Sequence, residues 1–158
     1  MKKYFLGLSV LVLTFLGSLS WAAGNSLGPA SDFKLEGIDK TTYALSNYRG
    51  KPVVLFFWAT WCPFCRKAAG ELKNTYPELQ QQGWELFAID VQESAYKAQN
   101  FAESHGVAFK VLLDKDGRVA NAYGVLGIPT FVLINSRGQI VFKDNYFPKD
   151  SYKELISN

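Results

Sequence analysis

A run of six apolar residues, Val53–Trp58, constrains the fold of this chain more than any other feature. The run is continuous rather than alternating, which is typical of a strand that other elements cover on both faces. Glu85–Val91 and Phe109–Leu113 predict two further strands, and helical patterns separate the three. Strands that alternate with helices predict an α/β protein in which helices cover both faces of a sheet.

The segments around these strands carry helix, hairpin and turn patterns. Pro63 suits the first position of a helix, and apolar residues recur after it at three- and four-residue steps. Gly70 and Pro77 predict a bend or an early end of this helix, and Gly83 closes it. The remaining predicted elements are two strands, two helices, the two strands of a hairpin and a last helix: Phe33–Leu35, Thr42–Leu45, Ser94–His105, Arg118–Tyr123, Thr130–Ile134, Gln139–Phe142 and Pro148–Ile156.

Residues 1–22 have the three parts of a secretory signal peptide. Lys2-Lys3 form a positive start, Tyr4–Leu19 is apolar and uncharged, and Ser20-Trp21-Ala22 fits a cleavage site. An uncleaved membrane anchor is the alternative. Either interpretation predicts that the domain is exported to the periplasm or to another extracytoplasmic compartment.

The composition is that of a globular chain, with 48% hydrophobic and 20% charged residues. Its 158 residues fit one domain of ordinary size, which we place at residues 32–158 after a linker over residues 23–31. The net charge is only +3, and the basic residues form no stripe of the kind that binds nucleic acid. We expect a monomeric protein without a nucleic-acid partner.

The two cysteines of the chain, Cys62 and Cys65, follow the buried strand and open the helix. A disulfide across so short a loop is a weak staple, because loop-closure stabilisation grows with loop length. At a helix N-terminus unpaired N–H groups favour an anion, so the pKa of the Cys62 thiol should fall below its ordinary value of about 8.5. Cys65 lies one turn further on and deeper. This asymmetry predicts that Cys62 attacks a disulfide and that Cys65 resolves the mixed disulfide.

Half of a zinc site is the other interpretation of two cysteines at this spacing. The chain has no second cysteine pair, and its only histidine is His105. We therefore expect neither a metal nor another cofactor.

A second motif, Ile128-Pro129-Thr130, stands just before a predicted strand. Proline cannot pair within a central ladder, so it predicts a turn at this point. Taken together with the dithiol, the motif predicts a cis peptide bond before Pro129.

The segment Trp58–Cys65, taken with Ile128-Pro129-Thr130, resembles the thioredoxin superfamily, and the chain looks most like its exported TlpA/ResA-like thiol–disulfide oxidoreductases. The resemblance implies a thioredoxin-like three-layer sandwich with an N-terminal β extension and a central helix–strand insertion over residues 92–124. It also implies that Cys62 and Cys65 are catalytic and that the cis-proline loop pairs with a substrate chain. The substrate-binding residues implied in this way are Trp61, Pro63, Phe64, Ile128, Pro129 and Thr130.

The same resemblance implies a reductase of disulfides in exported proteins, including those of cytochrome c maturation. Its partners would be exported proteins that carry a disulfide or a dithiol, and a membrane donor of the DsbD/CcdA type would supply electrons. Three alternatives stay open: an oxidase or isomerase of the same fold, a peroxiredoxin-like peroxidase, and a thiol-carrying adaptor without enzymatic activity.

The chain departs from that family at the acids near the dithiol. Relatives of the ResA type carry a glutamate where this chain has Ala68, and thioredoxin carries a buried aspartate where this chain has Phe56. Glu71, Asp90 and Glu93 are the acids that could replace them. The sequence favours a solvated surface charge at each of these three positions.

Overall fold

The computed structural model describes residues 26–156. The predicted signal peptide, residues 1–22, lies outside this range. Of the helices within the range, none is long and apolar enough to cross a membrane. The described backbone forms eight strands, four α-helices and a short 3₁₀ helix, in the order β1 (Gly28–Pro29), β2 (Lys34–Gly37), β3 (Thr42–Ala44), the 3₁₀ helix (Leu45–Tyr48), β4 (Val53–Trp58), α1 (Pro63–Gln81), β5 (Glu85–Val91), α2 (Ala95–His105), β6 (Lys110–Asp114), α3 (Arg118–Ala122), β7 (Thr130–Ile134), β8 (Gln139–Asp144) and α4 (Tyr152–Ile156).

The strands join one sheet in the order β1-β8-β7-β4-β5-β6-β2-β3. β4 lies near its centre, parallel to β5 and antiparallel to β7. Every residue of β4 is buried, because other elements cover both of its faces. The continuous apolar run therefore predicted the central strand correctly, and β5 has its predicted bounds.

Two apolar cores lie on opposite faces of the sheet. Phe56 and Trp58 of β4 point into the core beneath α1, α2 and α4. Leu55 and Phe57 point into the core that α3 and the 3₁₀ helix cover. This arrangement confirms the predicted three-layer, thioredoxin-like sandwich.

The N-terminal β extension and the central insertion both belong to this sheet. β2 and β3 form a hairpin, which joins the sheet through antiparallel pairing of β2 with β6. α2 and β6 form the insertion between β5 and β7, and β6 runs parallel to β5. β1 lies within the segment interpreted as a linker and pairs with β8 at the opposite edge. Its residues, Gly28 and Pro29, offer no alternating pattern from which a strand could be predicted.

Helix α1 is continuous through Pro77, so the prediction of an early end is wrong. Proline removes one backbone hydrogen bond from a helix, but the buried face of α1 continues past it to Leu79. The helix closes at Gly83, as predicted, where φ is 78°. The N–H groups of Gly83 and Trp84 donate to the carbonyl oxygens of Gln80 and Leu79, which satisfies the last turn.

Backbone conformation and hydrogen bonding also explain where α2 ends and where α4 begins. α2 stops at Gly106, as predicted, because this residue adopts the left-handed conformation with φ of 59°. α4 begins at Tyr152 rather than at the predicted Pro148. The N–H groups of Ser151 and Tyr152 both donate to the Pro148 carbonyl oxygen, which forms a turn before the helix.

Replacement of Leu79 by alanine is expected to lower the free energy of unfolding by about 2–5 kcal/mol. Leu79 is fully buried in the core beneath α1, so the substitution removes its contacts and leaves a cavity. Urea unfolding measures the loss, and Asn74→Ala, at an exposed position of the same helix, is the matched control. A loss as small as that of the control would contradict the packing described for α1.

Candidate active site

The chain turns sharply between the end of β4 and the start of α1. The N–H of Cys62 donates to the carbonyl oxygen of Ala59 at 3.3 Å, which closes the turn over Thr60 and Trp61. Cys62 has extended backbone angles (φ −83°, ψ 113°) and is the N-cap of α1, and Pro63 takes the first helical position. Proline is tolerated there because its missing N–H would have no partner within the helix.

Cys62 and Cys65 form a disulfide, with their Cα atoms 5.2 Å apart. The Cys62 Sγ also accepts a hydrogen bond from the backbone N–H of Cys65 at 3.2 Å. Cys65 is fully buried and Cys62 retains 4% exposure, so Cys65 is the deeper sulfur, as predicted. In the reduced protein the same N–H and the positive end of the α1 dipole would stabilise a thiolate at Cys62.

The loop before β7 approaches the outer cysteine. The peptide bond between Ile128 and Pro129 is cis, as predicted, and the Ile128 carbonyl oxygen lies 3.7 Å from the Cys62 Sγ. Thr130 is buried, and its hydroxyl donates to the carbonyl oxygen of Gly127 at 2.6 Å. The Thr130 side chain therefore closes the loop, while Ile128 and Pro129 stay partly exposed beside the cysteine.

Four large apolar side chains are exposed around this loop and the start of α1, and we call them the docking surface. Trp61 and Phe64 are 66% and 75% exposed, which agrees with their predicted places beside Cys62. Leu126 is fully exposed and Tyr146 is 57% exposed. Sequence reasoning missed these last two, because nothing in the local pattern separates them from core residues.

Two grooves flank the cis peptide bond, one of about 200 Å³ and one of about 440 Å³. Their apolar lining includes Phe64, Pro129 and Tyr146 in the first groove, and Trp61, Leu126 and Ile128 in the second. Each groove thus combines two residues of the docking surface with one residue of the cis peptide bond. The first groove is lined mainly by apolar surface, whereas the second also has the polar side chains of Gln92, Asp116 and Asn121.

The side chains of Asp90 and Glu93 are buried, so the prediction of a solvated surface charge is wrong for both. Asp90 is 1% exposed, and the Glu93 side chain is 3% exposed. Alternation along β5 points Asp90 to the same face as Ala88, into the core beneath α1 and α2. Glu71, by contrast, has a side chain that is 69% exposed, as predicted.

The Glu93 carboxylate holds the turn that carries Cys62. Its Oε2 accepts a hydrogen bond from the N–H of Thr60 at 2.6 Å, and its Oε1 accepts one from the Thr60 hydroxyl at 2.9 Å. The Nζ of Lys97, in α2, lies 3.8 Å from the same Oε1. Because Thr60 stands two residues before Cys62, this carboxylate fixes the backbone from which the cysteine projects.

The carboxyl group of Asp90 forms no hydrogen bond of good geometry with any residue that the structure describes. Burial, reinforced by the neighbouring Glu93 carboxylate, raises the pKa of Asp90 to about 8, and Lys97 offsets this only in part. Asp90 is therefore largely protonated at neutral pH.

Within residues 26–156 no group of three histidine, cysteine, aspartate or glutamate side chains is arranged to hold a metal ion. His105 lies at the end of α2, where its ring stacks on Phe101 with centroids 4.0 Å apart. The Nδ1 of His105 also lies 3.0 Å from the Phe101 carbonyl oxygen, so the histidine packs against its own helix.

A cysteine pair at the start of a helix, opposite a cis-proline that stands just before a central strand, defines the thioredoxin-like class of thiol–disulfide oxidoreductases. The sheet order and the three layers described above are consistent with that class. The chain belongs to the AhpC/TSA family, whose model matches residues 28–143.

Individual relatives agree with this class. The chain is 39% identical over 136 residues to the thiol-disulfide oxidoreductase ResA of Bacillus subtilis, a match that covers 86% of this chain and 74% of that protein. It is 36% identical over 135 residues to ResA of Geobacillus thermodenitrificans, covering 85% of this chain and 76% of that protein. A solved structure from Chlorobium tepidum, provisionally assigned as the thiol:disulfide interchange protein DsbE, superposes with a TM-score of 0.75 at 27% identity, covering 84% of this chain and 95% of that one.

Asp90→Asn is expected to stabilise the folded protein increasingly as the pH rises from about 4 to about 8. The folded state keeps the Asp90 proton to about pH 8, whereas the unfolded chain loses it near pH 4. Between these values the folded state binds the extra proton, so a rise in pH costs the wild-type protein stability that the asparagine variant keeps.

Urea unfolding of the oxidised protein at about pH 5 and about pH 8 measures this difference. Asp150→Asn, at an exposed position, is the control and should show the pH profile of the wild-type protein. Parallel profiles for the wild-type protein and Asp90→Asn would contradict a buried, protonated carboxyl group.

Proposed function

We propose that this chain reduces disulfides in exported proteins by dithiol–disulfide exchange at Cys62 and Cys65. The observation that carries the proposal is the hydrogen bond from the Cys65 N–H to the Cys62 Sγ, at the start of α1 and beside the docking surface. Stabilisation of the Cys62 thiolate makes it available as a nucleophile at neutral pH and also makes it a good leaving group. Cys65, buried behind it, is placed to resolve the mixed disulfide.

Exchange begins with the reduced protein. The Cys62 thiolate attacks one sulfur of the client disulfide, which forms a mixed disulfide and releases the other client sulfur as a thiolate. Cys65 then loses its proton and attacks the Cys62 sulfur, and the bond to the client breaks. The products are a client dithiol and the Cys62–Cys65 disulfide, so two electrons have passed from this protein to the client.

The docking surface supports a protein client rather than a small disulfide. Exposed apolar side chains gathered at one place mark an interaction surface on a folded protein. Trp61 and Phe64 stand on either side of Cys62 in the chain and face different grooves. An extended client segment joined to Cys62 would bury both side chains at the cis-proline loop.

We extend the proposal to the location of the protein, its electron donor and its client pathway. The signal-peptide pattern of residues 1–22 and the likeness to the exported ResA-like group support a periplasmic or other extracytoplasmic location. Electrons must then arrive across a membrane, so we propose a membrane donor of the DsbD/CcdA type. The same likeness supports cytochrome c maturation as a client pathway, with the protein acting as a monomer.

The Cys65→Ser variant is expected to accumulate a mixed disulfide between Cys62 and an oxidised model protein such as insulin. Without the resolving thiol the second step fails, and the intermediate persists. Non-reducing electrophoresis and mass spectrometry of the adduct measure its amount. Cys62→Ser is the matched control and should trap roughly tenfold less client, because a buried thiol is poorly accessible.

Two results would oppose the assigned roles. An adduct that forms through Cys65 in preference to Cys62 would reverse the order of attack. Reduced wild-type protein that leaves insulin oxidised while Cys62 is accessible would overturn the reductase, and rapid consumption of peroxide by the same preparation would favour a peroxidase.

Phe64→Ala is expected to lower kcat/KM for a protein disulfide by roughly 5- to 30-fold, as for truncation of an aromatic contact at an interface. The rate with oxidised glutathione should change little, because a small disulfide does not need the groove. Tyr96→Ala is the matched control, since Tyr96 is 74% exposed and lies outside both grooves. Equal losses in the two variants would argue against the docking surface.

A further inference from the structure

The groove of about 440 Å³ beside Trp61, which we call the polar groove, differs in chemistry from the groove beside Phe64. Its wall contains two side-chain amides, those of Gln92 and Asn121. Within residues 26–156 neither amide has a hydrogen-bond partner. Both groups are therefore available to a molecule that enters the groove.

The polar groove is continuous with the reactive sulfur. Ile128 lines the groove, and its carbonyl oxygen lies 3.7 Å from the Cys62 Sγ. Trp61, the residue before Cys62, lines the groove as well. A client polypeptide joined to Cys62 would therefore extend into this groove on one side of its own cysteine.

Gln92 has a backbone conformation that residues with a side chain rarely adopt. Its φ is 59°, in the left-handed region where a Cβ atom crowds the backbone. The N–H of Gln92 donates to the Asp114 carbonyl oxygen at 3.0 Å, which holds the residue in place just after β5. A glycine would adopt this conformation with less strain. Strained residues of this kind cluster at functional sites, so the strain points to a task for the Gln92 side chain.

The Gln92 side chain lies over Gly117, which also lines the polar groove. The position that a Cβ atom would take on Gly117 is only 3.2 Å from the Cδ and 3.1 Å from the Nε2 of Gln92. The absence of a side chain at Gly117 thus leaves the room that the Gln92 amide occupies. Asn121 follows one helical turn later, and its N–H donates to the Gly117 carbonyl oxygen at 2.9 Å.

The charges around the two grooves differ. Asp116 is the one charged residue among those that the structure places at the wall of the polar groove, and the Nε of Arg118 lies 2.6 Å from its Oδ2. Lys67, Glu71 and Lys149 line the other groove. A side-chain amide both donates and accepts hydrogen bonds, as the N–H and C=O groups of an extended backbone do. The lining of the polar groove therefore favours a polypeptide backbone over a charged group.

We propose that the polar groove binds the backbone of an extended client segment next to the client cysteine, with Gln92 as a specificity-determining residue. Its Oε1 accepts a hydrogen bond from a client N–H, and its Nε2 donates one to a client carbonyl oxygen. This inference rests on the proposed exchange at Cys62 and Cys65, because that reaction joins the client to Cys62. Recognition of the backbone separates polypeptides from small disulfides without selecting one client sequence.

Gln92→Gly tests the inference with two measurements that a structural role would not move together. Because glycine relieves the left-handed backbone, the equilibrium constant for unfolding of the oxidised protein should fall about threefold in urea titrations. The second measurement is the rate ratio, which is kcat/KM for a peptide disulfide divided by kcat/KM for oxidised glutathione. The substrate is a short peptide of serine, threonine and glycine around one cysteine, oxidised to its disulfide-linked dimer.

The rate ratio of Gln92→Gly should fall by about three- to tenfold, the range expected for the loss of a hydrogen bond. The loss should appear in KM for the peptide with kcat unchanged, because the contact is made equally in the bound substrate and in the transition state. Gln92→Asn keeps a shorter amide and tolerates the left-handed conformation, so it should recover part of the ratio.

Lys40→Gly is the matched control. Lys40 also has a left-handed backbone, with φ of 62°, but it lies in the turn between β2 and β3 and outside both grooves. This variant should gain stability as Gln92→Gly does and should keep the wild-type rate ratio.

Backbone N-methylation of the peptide separates backbone recognition from any other contact of Gln92. One peptide carries the methyl groups before its cysteine, and a second carries them after it. For one of the two peptides, methylation should lower the rate ratio much less in Gln92→Gly than in the wild-type protein, because the variant has already lost the hydrogen bond. Equal losses in both proteins with both peptides would overturn backbone recognition.

Three further results would also overturn the inference. A loss of stability in Gln92→Gly would assign the side chain to packing against Gly117. An unchanged rate ratio would remove Gln92 from client binding, and so would an equal loss of rate with the peptide and with glutathione. If the wild-type protein reduces neither disulfide, the proposed exchange fails and this inference fails with it. If it reduces both and Gln92→Gly matches it, only the inference fails.

Discussion

The hydrogen bond from the Cys65 N–H to the Cys62 sulfur is the interaction on which the rest of the site depends. It exists because β4 is held by strands on both sides and ends at Trp58, and the chain enters α1 after a single turn. The buried face of α1 then fixes the helix against the sheet. A negative charge at Cys62 is thus stabilised by the fold as a whole, through a helix end.

Two acids with buried side chains, Asp90 and Glu93, lie behind the turn that carries Cys62, and the fold accommodates each of them in a different way. A buried carboxylate is costly unless it is bound or protonated. Glu93 is bound, since Thr60 donates to both of its oxygens, whereas Asp90 is kept largely neutral by burial and by its neighbour. The layer behind the Cys62 turn therefore contains two buried acids, of which one is held by Thr60 and the other is largely protonated at neutral pH.

The elements that the sequence predicts well are those that depend on local patterns. Continuous apolarity indicated β4, and the cysteines with Pro63 indicated the start of α1. The burial of Asp90 could not be predicted, because a polar residue near a strand end has the same local pattern whether or not a helix covers it. The exposure of Leu126 has the same origin, and both depend on which elements pack together. The early end predicted at Pro77 was wrong because the buried face that carries α1 past it is a tertiary feature.

β1 pairs with Gln139 and Ile140, beside the Ile134 end of β7. The cis-proline and the cysteines lie at the other end of the central strands, roughly 17 Å away for a strand the length of β4. The chain therefore enters the domain at the pole opposite the reactive sulfur. If the chain before β1 were attached to a membrane, the docking surface would face away from that membrane. A bulky, partly folded polypeptide could then reach the docking surface without rotation of the domain.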